Sequence, residues 1–196
     1  MKYKNIVFDF GNVLATFNEN KILSKYCNQD DLLTLRNCIY EEWWEYDAHV
    51  YTQEEYEALV IAKTPTHLHE AVRLFFRDWY KQLEPIEEMW QLVRELKAAG
   101  YGLYILSNAP VVFARNAREL YPIATLFNGA VYSAPIRMAK PHDNIYQYLF
   151  HTYQLEPATC LFIDDKKINV DASIRNGMEA IEFHGDVEQI KQVIYR

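Results

Sequence analysis

Short apolar runs alternate along this chain with longer stretches in which apolar residues recur every three or four positions. Residues 5–10 (NIVFDF), 102–106 (GLYIL), 130–132, 161–163 and 180–183 are the runs, and they read as short strands. Most are apolar at consecutive positions, as a parallel sheet buried on both faces requires. Ile86, Met89, Trp90, Val93 and Leu96 stand at helical spacing, and Gly100 follows where a helix would stop. Pro141 is placed to open a helix carrying Ile145, Tyr148 and Leu149. Strand and helix in alternation predict an α/β fold, a doubly wound parallel sheet with helices on both faces.

One segment breaks the alternation. Residues 16–83 contain helical patterns and no convincing strand. Thr52-Gln53-Glu54-Glu55 has the form of a capping box opening a helix through Tyr56, Leu59 and Val60. Leu68, Val72, Phe75, Phe76 and Trp79 mark another helix. The expectation is one α/β core from residues 1–15 and 84–196, with residues 16–83 inserted above the sheet as a helical cap.

Composition narrows the class. A chain of 196 residues can bury one core and a small inserted module. Half its residues are apolar and 24% are charged, which is ordinary for a globular protein. No window approaches the roughly 18 continuous apolar residues of a membrane span. Asp9 interrupts the first apolar run and no small-residue cleavage site follows, so a soluble, cytoplasmic protein is expected. The net charge of −7 and the lack of a basic stripe argue against a nucleic-acid partner. Cys27, Cys38 and Cys160 are odd in number and have neither CxxC nor Cys/His metal spacing, and they are expected to be small buried or half-buried residues. His67, His69, His142, His151 and His184 show no spacing that suggests a transition-metal site.

In an open α/β sheet, ligands bind beyond the carboxyl ends of the strands. The polar residues at those ends are Asp9, Ser107-Asn108 and Asp164-Asp165, with Lys140-Pro141 in the loop after the third run. Each has a plain structural reading. Asp9 would serve as a turn residue, Ser107-Asn108 would cap the following helix, and Lys140 would be a solvated loop lysine. The adjacent Asp164 and Asp165 fit that reading less well, because like charges at a strand end repel unless a cation compensates them.

These residues, taken in order, resemble the haloacid dehalogenase-like (HAD) hydrolase superfamily over essentially the whole chain. The motifs are Phe8-Asp9-Phe10-Gly11-Asn12-Val13-Leu14, Ile105-Leu106-Ser107-Asn108, Lys140-Pro141 with Ile145-Tyr146, and Phe162-Ile163-Asp164-Asp165 with Asn169 and Gly177 downstream. The Asp9-x-Gly11-Asn12-Val13 form, with Trp44-x-Tyr46-Asp47 in the insertion, is similar to the subgroup of α-glucose-1-phosphate phosphatases. The resemblance implies a Mg²⁺-dependent phosphatase of a small phosphorylated metabolite, with a sugar phosphate as one candidate and a monomer or weak dimer as the expected state. It casts Asp9 as a nucleophile that forms an aspartyl-phosphate. Mg²⁺ would be held by the Asp9 carboxylate, the Gly11 carbonyl and Asp165, with Asp164 direct or through water. Ser107, Asn108 and the following amides would bind phosphate oxygens, and Lys140 would neutralise charge during transfer.

One position departs from the family pattern. Phosphatases of this superfamily usually carry a second Asp two residues after the nucleophile as general acid and base, and Gly11 stands there. General acid catalysis contributes ~10²–10⁴-fold, so a replacement matters. Tyr46, Asp47 and His49 are the candidates in the insertion. Two rivals use the same fold. A 2-haloacid dehalogenase releases halide and needs neither proton nor metal, which leaves the Asp164-Asp165 pair without a counter-ion. A catalytically degraded binding protein would not require the retained set of reactive groups. Trp43, Trp44, Tyr46, Trp79 and Tyr80 would either present stacking surfaces to a substrate or pack the insertion together.

Overall fold

The structure, a computed structural model, describes residues 2–195. The chain enters the core through β1 (Asn5–Phe8) and leaves through the two-residue strand β2 (Ala15–Thr16). Five helices follow: α1 (Glu19–Leu23), α2 (Leu32–Tyr40), α3 (Trp43–Asp47), α4 (Gln53–Lys63) and α5 (His69–Asp78). The chain returns through β3 (Glu84–Pro85), which pairs antiparallel with β2 and sets Thr16 opposite Glu84. The ribbon is latched to the core, because the Ile86 amide and the Trp90 indole both donate to the Leu14 carbonyl, at 3.0 and 2.7 Å.

From there strands and helices alternate: α6 (Glu87–Ala98), β4 (Gly102–Ser107), α7 (Val111–Leu120), β5 (Gly129–Tyr132), α8 (Ser133–Ile136), α9 (Asp143–Tyr153), β6 (Cys160–Asp164), α10 (Lys167–Arg175), β7 (Glu179–Glu182) and α11 (Val187–Ile194). The sheet order is β5-β4-β1-β6-β7, and every neighbouring pair is parallel. This is the doubly wound sheet expected from the sequence. Its faces are separated by the two-residue period of a strand. Ile6 and Phe8 of β1 pack in the layer containing Met89, Leu92 and Ile190, whereas Val7 packs in the layer of Ile145, Leu149 and Ala172.

Local signals account for several ends. Thr52 Oγ1 accepts from the Glu55 amide and Glu55 answers with the Thr52 amide, so the capping box is closed. Gly100 takes φ +87° after α6, and the bonds Gly100 N–H to Lys97 and Tyr101 N–H to Leu96 complete a Schellman motif. Two expectations are corrected. The first strand ends at Phe8 rather than at residue 10, because Asp9 and Phe10 leave the ladder to start the loop toward β2. Pro141 does not open a helix; it lies in a turn bonded from His142 to Ala139, after a cis peptide, and α9 begins at Asp143.

The exposed edge of β5 is closed by a side chain. The Tyr153 hydroxyl accepts from the Ala130 amide at 2.9 Å and donates to the Ala130 carbonyl at 3.1 Å. Its ring lies over Gly129, where an added Cβ would meet ring atoms at 2.2 Å. Gly129→Ala should therefore displace the ring and both bonds, lowering stability in urea unfolding by ~1–3 kcal/mol. Tyr153→Phe removes the bonds without the clash and should cost less. Equal stability of Gly129→Ala and wild type would refute this account of the edge.

Candidate active site

Three strand ends bring the sequence-expected residues together. The Asp9 amide donates to the Ile163 carbonyl at 2.9 Å, so Asp9 leaves β1 beside the end of β6, where Asp164 is the last residue. Lys140 arrives from the turn after α8. Its Nζ lies 3.0 Å from Asp9 Oδ1 and 2.6 Å from Asp164 Oδ2. The Lys140 and Asp164 side chains are essentially inaccessible, at 1% and 0% exposure, so Lys140 is not a solvated loop lysine. A buried charge is costly unless it is paired, and here one ammonium faces two carboxylates.

The partners of each group define its freedom. Asp164 Oδ1 accepts from the Lys166 amide (2.8 Å) and from Asn169 Nδ2 (2.9 Å), and Oδ2 accepts from Lys140 and Asn169. Those bonds occupy its lone pairs. Asp9 Oδ1 accepts from the Phe10 amide at 2.7 Å and faces Lys140. Among the described residues none bonds Asp9 Oδ2. Burial pushes the Asp9 carboxyl up to about 6, against the pull of Lys140, with Asp164 adding to the rise. Burial also opposes the charge on Lys140, but Asp164 and Asp9 outweigh it and hold the ammonium above its ordinary value.

Asn108 fixes the lysine from behind. Its Oδ1 accepts from the Lys140 amide at 2.8 Å and its Nδ2 donates to the Lys140 carbonyl at 2.9 Å. Its side-chain amide is thus committed to the lysine backbone, which leaves only its backbone amide for a phosphate. Ser107 is buried and lines the cavity described below. Neither residue caps a helix, because the residue before α7 is Pro110.

Asp165 completes an acidic cluster in which Asp9, Asp164 and Asp165 can each offer an oxygen within 4.8 Å of the others. Asp165 Oδ2 accepts from Asn12 Nδ2 at 3.1 Å, and Asn12 Oδ1 takes the Phe17 amide. Asn12 holds this position at φ +56°, a left-handed conformation that Asn tolerates better than most residues. All the donors are oxygens and the cluster carries more negative charge than Lys140 offsets, so the set suits a hard divalent cation. Because the Asp164 oxygens are already bonded, Asp9 and Asp165 are the available carboxylates.

A cavity of ≈ 400 Å³ opens above this cluster. Phe17, Tyr40, Trp43, Trp44, Trp79 and Phe113 supply an aromatic wall, with Trp44 64% exposed. Trp43 and Trp79 also pack edge to face with centroids 4.9 Å apart, so they serve the wall and the insertion together. Tyr46 stacks on Tyr56 at 5.1 Å instead, and neither Tyr46 nor Tyr80 lines this cavity. Among the described residues, the buried side-chain polar atoms without a partner are the Tyr40 hydroxyl, Trp79 Nε1 and Asp47 Oδ1. All three residues line the cavity. Of the candidate proton donors Tyr46, Asp47 and His49, Asp47 alone is among its lining residues.

Sequence reasoning named the charged residues and the motifs around them, but not the bonds that hold them. Asn12 and Asn169 stood in the motifs, but what they bond did not: Asn169 holds Asp164 five residues back, and Asn12 reaches Asp165 from a loop far along the chain. Cys160 is buried and Cys27 and Cys38 are half-buried, as expected. Among the described residues no helix is long and apolar enough to cross a membrane.

Residues 3–177 match the haloacid dehalogenase-like hydrolase family. The sesquiterpene phosphatase astK of Aspergillus oryzae is 29% identical over 176 residues, covering 90% of this chain and 87% of that protein. A HAD family enzyme from Bacteroides thetaiotaomicron, crystallised with magnesium and inorganic phosphate, superposes with a TM-score of 0.73 at 19% identity, covering 96% of this chain and 98% of that one. The L-2-haloacid dehalogenase from Xanthobacter autotrophicus superposes with a TM-score of 0.68 at 16% identity, covering 91% and 76%. At these identities the structural likeness is one of fold, and two chemistries share it.

Proposed function

The chain belongs to the haloacid dehalogenase-like hydrolases, and on that premise we propose that it is a Mg²⁺-dependent phosphatase of a small organic phosphate monoester, with Asp9 as covalent nucleophile. The observation that carries this reading is the set of three carboxylates within 4.8 Å of one another, two of them paired with one buried lysine. Halide displacement would leave Asp165 with no cation to hold. Phosphoryl transfer gives it one, since a dianionic ester approaching an anionic nucleophile needs added positive charge.

Asp9 Oδ2 attacks phosphorus and the bond to the ester oxygen breaks, leaving a phosphoryl group on Asp9. Water then attacks that phosphorus and regenerates the carboxylate. Ser107 and the backbone amide that follows it hold phosphate oxygens. Lys140, oriented by Asp164 and Asn108, lies beside Asp9 and neutralises charge on the transferring group. Asp9, the Gly11 carbonyl and Asp165 would hold Mg²⁺, with Asp164 adding negative charge behind them while it orients Lys140. When bound, Mg²⁺ supplies charge compensation for phosphate and nucleophile.

Residues 16–83 act as the cap, covering the cavity and limiting water. The aromatic wall suits an organic group with an apolar face, and the Tyr40 and Trp79 donors suit an oxygen on that group. A sugar phosphate and an oxygenated terpenoid phosphate both meet those terms.

The test is phosphate release from sugar phosphates and isoprenoid monophosphates, with Mg²⁺ and with EDTA. Release should require Mg²⁺, stop with EDTA and return when Mg²⁺ is restored. Asp165→Ala should raise the Mg²⁺ needed for half-activity by more than the ~10–100-fold that loss of an outer-shell partner costs. Undiminished hydrolysis in EDTA, or halide release from 2-haloacids without metal, would overturn the reading.

A further inference from the structure

We propose that Asp47 is the proton donor and acceptor of the reaction, presented to the ester oxygen from the helical insertion rather than from the loop after β1. This rests on the phosphatase reading above. An alkoxide is a poor leaving group, so its departure calls for a proton. Gly11 cannot supply one. Nor does crowding require glycine there, since an added Cβ would meet only the Phe17 Cβ within 4 Å, at an ordinary 3.9 Å.

The cavity offers few alternatives. Glu19 lines it but is paired with Arg36 at 2.7 Å. Burial holds the Tyr40 proton well above the ordinary tyrosine value, which suits a hydrogen-bond donor better than a proton shuttle. Lys166 is exposed to solvent. Asp165 belongs to the metal set. Asp47 has a buried carboxyl oxygen, Oδ1, with no partner among the described residues, on a residue that lines the same cavity as Asp9.

Its backbone is fixed from the core. Ser133 Oγ donates to the Asp47 carbonyl and accepts from the Ala109 amide at 2.8 Å. One buried serine therefore ties Asp47 to the loop that follows Ser107. Asp47 ends α3, and the turn closes through His49 at φ +57° with a bond from the Val50 amide to the Glu45 carbonyl. Burial pushes the Asp47 carboxyl up to about 7, against Lys166, with Asp9 adding to the rise. A carboxyl near that value can give a proton in one step and take one in the next.

The steps balance. As the Asp9–phosphorus bond forms and the ester bond breaks, the Asp47 proton passes to the departing oxygen, which leaves as an alcohol. Asp47, now a carboxylate, takes a proton from water while that water attacks phosphorus. The Asp9–phosphorus bond breaks, and phosphate leaves with Asp47 again protonated.

The test compares esters that do and do not need the acid. Asp47→Asn should lose ~10²–10⁴-fold in kcat on an alkyl phosphate hydrolysed by wild type. On p-nitrophenyl phosphate, whose phenolate leaves unaided, the variant should release a burst of one equivalent of nitrophenol and then turn over slowly, because the second step lacks its base. Asp47→Ala serves as a second variant with the same expected pattern, and thermal melts confirm that both fold. Unchanged kinetics on both esters, or an equal loss on both with no burst, would overturn the role of Asp47. If Asp9→Asn retained turnover, the phosphatase mechanism itself would fail, so the two failures are distinct.

Discussion

Asp9→Asn should reduce turnover at saturating Mg²⁺ by about 10⁴-fold or more, the scale seen when a covalent nucleophile is removed. The amide keeps the shape, and its oxygen can still accept from the Phe10 amide and Lys140. It lacks the anionic oxygen that must attack phosphorus. Wild type should bind a beryllium or aluminium fluoride mimic at Asp9, and the Asn variant should not. Retained turnover with a trapped mimic would place the nucleophile elsewhere.

The same substitution should not weaken the fold. Burial raises Asp9 from 3.8 to about 6, so its ionised form is disfavoured in the folded chain. Proton linkage gives the sign: the contribution of Asp9 to stability is fully present below the unfolded value and is lost as pH rises through about 6. Measured in EDTA, Asp9→Asn should therefore gain on wild type between pH 4 and pH 6 (about the two limits). A loss of stability over that interval would contradict the assignment.

Lys140→Met should have the opposite character. It leaves Asp9 and Asp164 buried beside each other without their shared cation. Removing one partner of a buried charged set typically costs ~3–5 kcal/mol. The loss should be largest in EDTA and smaller with Mg²⁺, because a cation that binds only the folded state stabilises it by mass action. Urea unfolding with and without Mg²⁺ measures both effects. A cost under ~1 kcal/mol, the scale of an exposed ion pair, would mean that the triad is not the charge centre described above.

How much of this was legible in the sequence depended on whether the signal was local. The strands of the sheet followed from apolar runs that no helix face could explain, while their order β5-β4-β1-β6-β7 did not. The box at Thr52 and the stop at Gly100 followed from side chains that act within one turn. Asp9, Ser107 and Asp164-Asp165 were legible because each stands at or just beyond a strand end, where the sheet itself fixes position. Lys140 lies in the turn after α8 and was legible only from the order of the motifs. β2 and β3 were not, since two residues carry no periodicity. Asn108 illustrates the limit most clearly. Its neighbour in the chain suggested a phosphate-binding pair, but its amide is matched in space to the Lys140 backbone, far along the sequence. Asp47 was one of three candidates until the cavity separated it from Tyr46 and His49.

Thr16 and Glu84 lie opposite each other in the short ribbon, so the polypeptide enters and leaves its helical excursion at one point on the rim. Topologically, that excursion is a side loop. The rungs between β4, β1 and β6 involve no residue within it. Joining Thr16 to Glu84 by a tight hairpin would leave the register of the sheet untouched, and the entropy of closing a loop grows only slowly with its length. Such a fold accommodates exchange: a different set of helices, spliced at the same two residues, would place a new roof over Asp9, Lys140 and Asp165. On the reading proposed above, the groups at the strand ends and the walls that face the substrate can then vary separately, except that a new roof must bring its own equivalent of Asp47.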